Sequence, residues 1–180
     1  VEKGSSQWHS LNYFKFSYLC RGMNFKDMAS LEWNKQIDYE MSRISYERAK
    51  TGNTKKVKKK LQIKIDSRIA EILSEYSNNA PYVLPILEPG MTETNKRNRM
   101  LGALKKINKD LQFIASQVGI PRAKQVTFYW ARHTYATVLK RSGVGTSIIS
   151  ETLGHSSERT TKAYLDKFDQ SQLDAVNEIL

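Results

Sequence analysis

The order of apolar and polar residues divides the chain into stretches with two different periods. Leu11, Phe14, Tyr18 and Leu19 recur at helical steps, which predicts a helix over 11–21. Asn24, with Asp27 three residues later, has the form of an N-cap followed by an acidic N3 residue and opens a second helix through Leu31. The period then changes. Residues 41–50 alternate loosely, Thr51-Gly52-Asn53 supplies turn chemistry, and Leu61, Ile63 and Ile65 alternate strictly. Residues 40–65 therefore read as a β-hairpin. Asp66 caps a short helix to about Tyr76, and Pro81, Pro85, Pro89 and Gly90 mark a loop.

The helical period returns over 94–118, where Leu101, Leu104, Ile107, Leu111 and Ile114 form one stripe and Gly119 and Pro121 stop it. Further helices are expected over 130–142 (closed by Gly143), from Thr146 as cap to Leu153, from Glu158 to about Phe168, and over 170–179. The pattern is mainly α with a small antiparallel β-sheet of three strands at one edge, an α+β class. Phe128, Trp130, Tyr135 and Leu139 are expected in the core, with His133 buried on the far side of its helix from Arg132. Cys20 is expected as a small buried apolar residue.

Composition adds limits. The 180 residues suit one domain, 39% hydrophobic content is ordinary globular usage, and one cysteine excludes an intrachain disulfide. No apolar run approaches the roughly 20 residues of a membrane helix, so no membrane partner is expected. The chain begins at Val1 and reads as part of a longer protein, with residues 1–10 as a leader or linker. Charge adds a direction: 29 Lys and Arg against 18 Asp and Glu give +11, which points to a polyanionic partner. Its distribution is uneven. Arg48, Lys50, Lys55, Lys56, Lys58, Lys59, Lys60 and Lys64 face no acid between them, residues 96–124 hold only Asp110 against their cations, and the stretch from Asp166 onward turns acidic.

The candidate chemistry lies in Thr127-Phe-Tyr-Trp-Ala-Arg-His-Thr134 and Leu153-Gly-His-Ser-Ser-Glu-Arg-Thr-Thr-Lys-Ala-Tyr164. Arg132, His155 and Tyr164 fall near the ends of three consecutive short helices, so a cation, an imidazole and a phenol could converge there. Phosphoryl transfer calls for such a set: a nucleophile, fixed positive charge and proton handling. His9, His133 and His155 show no metal-ligand spacing, so no metal and no cofactor are expected and Arg and Lys stand in for a cation.

These two stretches resemble the boxes of the tyrosine recombinase, or phage integrase, family, and are most similar to integrases of Bacteroides-type mobile elements. Gly22-Met-Asn-Phe-Lys-Asp-Met-Ala-Ser-Leu-Glu-Trp33 resembles the family's first box, and Arg48-Ala-Lys-Thr-Gly-Asn53 its β-hairpin lysine turn. The four motifs come in the family's order across residues 11–168. The resemblance implies a catalytic domain of the DNA breaking-rejoining fold there, with 169–180 a C-terminal helix able to dock on a neighbour and an N-terminal core-binding domain outside this chain. It implies a site-specific recombinase that makes a 3′-phosphotyrosine intermediate without metal, for integration or excision of a mobile element. Tyr164 would be the nucleophile, Arg132 the phosphate ligand, Lys50 the general acid and His155 a phosphate and proton partner. Arg48, Lys55, Lys56, Lys58 and Lys59 would contact DNA.

Two positions depart from the family pattern. Asn24 stands where the first arginine is expected, with Arg21 one turn upstream as a candidate substitute, and Tyr129 stands where a histidine precedes Arg132. The implied partners are double-stranded DNA and, in the full-length protein, three further copies in a tetramer on two DNA sites, in the bacterial cytoplasm at the nucleoid. The alternative is a catalytically impaired DNA-binding protein of the same fold.

Overall fold

The computed structural model describes residues 1–48, 60–155, 158–162 and 165. The helices are α1 (Ser6–Leu19), α2 (Phe25–Ala29), α3 (Trp33–Gln36), α4 (Ser67–Ser74), α5 (Glu93–Gln117), α6 (Trp130–Arg141), α7 (Thr146–Thr152) and α8 (Glu158–Lys162). The strands are β1 (Ile37–Asp38), β2 (Arg43–Glu47) and β3 (Lys60–Lys64), antiparallel in the order β1-β2-β3. This is the expected mainly α chain with one small sheet.

The first helix is longer at its start than its apolar spacing predicts. Ser5 caps it by accepting from the Trp8 N–H at 3.2 Å, so residues 6–10 of the expected leader are helical. They are also anchored. Ser6 and Ser10 donate to Asp110 Oδ2 on α5 at 2.5 and 2.8 Å, which satisfies a carboxylate that is 8% exposed. The helix ends at Leu19, where the Met23 N–H reaches back to the Ser17 carbonyl and Arg21 and Gly22 both take positive φ (59° and 65°). Arg21 therefore lies in a left-handed turn and not on a helical turn as expected.

In the sheet, Ile37 pairs with Ile44, Ile44 with Ile63, and Tyr46 with Leu61. All five side chains are buried on one face. Arg43, Lys60 and Lys64 lie on the other, so the strict alternation of β3 buries its apolar half and presents a basic half. The hairpin turn at 49–59 lies outside the described residues.

Asp66 caps α4 by accepting from the Ile69 N–H at 3.0 Å, and Thr92 caps α5 through the Asn95 N–H at 3.2 Å. Helix α5 spans 25 residues, about 37 Å at 1.5 Å per residue. It buries Ile107, Leu111 and Ala115 along one stripe. Helix α7 starts one residue earlier than expected, with Gly145 and not Thr146 at the N-cap. The expected helix over 170–179 lies outside the described residues, as do residues 163, 164 and 166–168 of the helix expected from Glu158.

Two hydrophobic clusters result. The larger joins α1, α2, the sheet, α4 and α5, with Phe16, Cys20, Met28, Val83 and Leu84 fully buried at its centre; full burial of a Phe, Met or Leu side chain contributes about 1.5–3 kcal/mol each. The smaller joins α6 and α7 through Ala136, Ile149 and Leu153, flanked by Tyr135, Leu139, Val144 and Leu165. Among the described residues no helix is long and apolar enough to cross a membrane.

Candidate active site

Arg132 bridges the two clusters. It sits in the first turn of α6 and is 3% exposed, so its guanidinium must find partners inside the protein. Nη1 donates to the Gly22 carbonyl at 2.8 Å and Nη2 to the Leu153 carbonyl at 2.6 Å. One contact comes from the turn between α1 and α2, the other from the end of α7. Gly22 is required on two counts: its φ is +65°, and an added Cβ would lie 2.8 Å from the Arg132 Cα.

Nη2 also contacts His155 Nε2 at 2.9 Å. A guanidinium can only donate, so Nε2 carries a lone pair and the proton of the neutral ring is on Nδ1. Nδ1 then donates to Thr161 Oγ1 at 2.8 Å, on a fully buried side chain of α8. This hydrogen bond sets the tautomer and turns the Nε2 lone pair toward Arg132.

Beside the guanidinium lies a cavity of about 290 Å³, lined by Asn24, Asn108, Thr127, Phe128, Tyr129 and Arg132 among others. The structure thus collects Asn24 and Tyr129, the two departures from the family pattern, around the same arginine. Asn24 occupies the N-cap position of α2, but its amide makes no capping bond. Tyr129 is 46% exposed and meets His133 edge to face at 4.9 Å. Arg21 is not among the residues lining this cavity.

Asp27 on α2 is buried as well. Burial first, then the Asp27 charge, pushes the Tyr46 phenol well above its ordinary range, while Arg132 and Arg48 oppose that shift. Arg48 is half-buried, and its Nη1 donates to the Gly154 carbonyl at 2.6 Å. Tyr164, Lys50, Lys55, Lys56, Lys58 and Lys59 lie outside the described residues. No group of three or more His, Cys, Asp or Glu suited to a metal occurs among those described.

Two further expectations change. His133 is exposed, and Trp130 is 36% exposed. Helix α6 turns Ala131, Arg132 and Ala136 inward, and a residue next to Arg132 is rotated about 100° away from it. Phe128 and Cys20 are buried as expected. Gly22 and Thr161 are site residues that motif reasoning did not single out. Both stood inside the quoted boxes, and the signal for Thr161 was its place six residues after His155.

The chain matches the phage integrase family over residues 1–171. It belongs to that family. Two curated relatives of the phage integrase chain are tyrosine recombinases. The one from Thermosipho africanus is 35% identical over 101 residues, 54% of this chain and 36% of that protein. The one from Pseudothermotoga lettingae is 40% identical over 57 residues, 32% of this chain and 20% of that protein. The match therefore spans well under half of each relative's length.

Among solved structures, the XerH site-specific recombinase in a post-cleavage complex with palindromic difH substrate superposes with a TM-score of 0.70 at 18% identity, over 99% of this chain and 48% of that one. The Tn1549 transposon integrase in complex with transposon right end DNA gives 0.65 at 16% identity, over 94% and 58%. At such identities the likeness is one of fold, and it places this integrase-family chain in the fold of the tyrosine recombinases.

Proposed function

We propose that the full-length protein is a site-specific recombinase acting on double-stranded DNA, and that this chain carries its chemistry. The observation that supports this most is the Arg132–His155 pair: a buried guanidinium held on two carbonyls, touching an imidazole whose proton is on the far nitrogen. Such a pair suits a scissile phosphate. Arg132 neutralises charge on its non-bridging oxygens, with little reorganisation because its position is already set. The Tyr164 oxygen attacks phosphorus, and His155 Nε2 takes the phenol proton as Arg132 Nη2 turns from that nitrogen to the phosphate. The bond from phosphorus to the 5′-oxygen breaks, Lys50 protonates that oxygen, and a 3′-phosphotyrosine ester remains. Attack by a 5′-hydroxyl runs the steps in reverse and rejoins the strand.

The basic face of the sheet and helix α5 are suited to following the phosphate backbone. On α5, Arg97, Lys105 and Lys109 are exposed and make no ion pair among the described residues. The relatives named above include a transposon integrase and recombinases bound to their DNA sites, and integration or excision of a mobile element is the corresponding reading here. Residues 11–168 serve as the catalytic domain and 169–180 as a docking segment in a tetramer on two sites, in the bacterial cytoplasm with the nucleoid.

The test is a suicide DNA duplex nicked beside the crossover, incubated with the full-length protein. A covalent protein–DNA adduct is expected with the wild type and none with Tyr164→Phe. Absence of the adduct with the wild type, or its survival in Tyr164→Phe, overturns the reading and leaves DNA binding alone.

A further inference from the structure

The charge pattern of the sequence assigns Arg48 to a DNA phosphate, but the structure turns it inward. Arg48 follows the last residue of β2 and stands two residues before Lys50. Its Nη1 donates to the Gly154 carbonyl at 2.6 Å, a charge-assisted bond across 106 residues of sequence. The neighbouring strand takes part. Leu61 on β3 pairs with Tyr46, and its Cδ1 lies 2.8 Å from where a Gly154 Cβ would stand; Arg48 Cδ lies at the same distance. Gly154 is therefore packed against Leu61 of β3 and against Arg48, which follows β2.

The residues on either side of Gly154 belong to the site. Leu153 gives its carbonyl to Arg132, and His155 gives Nε2 to the same guanidinium nitrogen. Gly154 takes φ +64°, and this turn lets two consecutive carbonyls reach two different arginines. Arg132 holds one from the α6 side and Arg48 holds the next from the hairpin side.

We infer that Arg48 is a positioning residue, which ties the end of strand β2 to the His155 turn through the Gly154 carbonyl, and not a DNA phosphate contact. The inference rests on the recombinase reading for what is being positioned. Strand β2 belongs to the sheet, whereas His155 follows the α6–α7 cluster. The Arg48 bond fixes one relative to the other, and so holds the turn that carries His155 in place beside Arg132.

The two roles separate in a salt titration. Each phosphate contact adds about 0.9 to the slope of log affinity against log salt. Arg48→Met and Arg48→Gln would be made in the full-length protein and checked for folding by thermal denaturation, and whichever folds decides. The result expected is an unchanged salt slope on a target duplex, with single-turnover adduct formation on the nicked substrate slowed about tenfold or more at saturating DNA, which corresponds to roughly 1.4 kcal/mol of barrier per tenfold. Arg48→Lys, which restores a donor, recovers part of that rate. A slope lower by about 0.9 with a normal rate at saturation would make Arg48 a phosphate contact, and an unchanged rate with an unchanged slope would leave it no role in the site; either overturns the inference. The wild type is measured beside the variants. If it forms no adduct, the recombinase reading fails, while the slope still decides whether Arg48 contacts phosphate.

Discussion

At the scale of single residues, the site depends on close backbone approach as much as on side-chain chemistry. Arg132 can lie over the α1–α2 turn only because Gly22 has no Cβ. Gly22→Ala forces a left-handed alanine, which costs about 1–2 kcal/mol, and an overpacked contact with α6, which costs about 1–3 kcal/mol. Urea unfolding should therefore show a loss of about 2–5 kcal/mol, summing those two effects, and a loss below about 0.5 kcal/mol would mean the turn can shift away from α6. Spacing within a motif made Arg132 and His155 legible in the sequence. The tautomer of His155 was not, because it follows from which atoms face Nε2 and Nδ1, and those belong to α6 and α8. The same holds for Arg48. Its charge is visible in the sequence, but the partner of that charge lies 106 residues away.

At the scale of elements, local signals acted where they were long enough to repeat. Helix α5 carries its stripe over 25 residues, and Thr92 and Asp66 occupy the N-caps of α5 and α4. Asp66 is also the receptor for Arg68, whose hydrogen bond, followed by the Ile69 N–H, holds its carboxyl below the ordinary carboxylate range. Asp66→Ala removes the cap of α4, and denaturant unfolding should report a loss of about 1 kcal/mol. Asp66→Asn should retain most of that stability, since an amide oxygen also accepts from Ile69; equal losses in both variants would mean that charge, not capping, is what counts. Elements of two to four residues behave otherwise. Strand β1 and helix α3 are too short to show a period, and they form because β2 offers an edge to pair with and because the Trp33 N–H finds the Pro81 carbonyl at 2.9 Å. The start of α1 escaped its apolar spacing for a related reason. Ser6 and Ser10 are polar, and they are held by a carboxylate on another helix.

At the scale of the whole molecule, α1 is the element on which α4, α5 and α6 pack. His9 lies on its α4 side, with Nδ1 3.0 Å from the Tyr76 hydroxyl, and partial burial lowers its pKa from the ordinary histidine value. The folded state therefore binds the His9 proton less readily than the unfolded chain. The stability this gives is present above the unfolded pKa, near 6.5, and is lost as pH falls through the lower folded value. The melting temperature of the wild type should fall more steeply than that of His9→Gln between about pH 7 and pH 5, a window set by that reference value; parallel profiles would remove His9 from the acid response. The sequence by itself determined the class of the fold, the order of its boxes and which residues are candidates for the site, because periodicity, capping and motif spacing are local properties of the chain. Only the tertiary structure decided what each group faces: Arg132 set across two clusters, His155 held in one tautomer by Thr161, and Arg48 turned from solvent to a carbonyl. Those outcomes depend on surfaces brought together from distant parts of the chain, where a buried charge must take whatever partner the packing supplies.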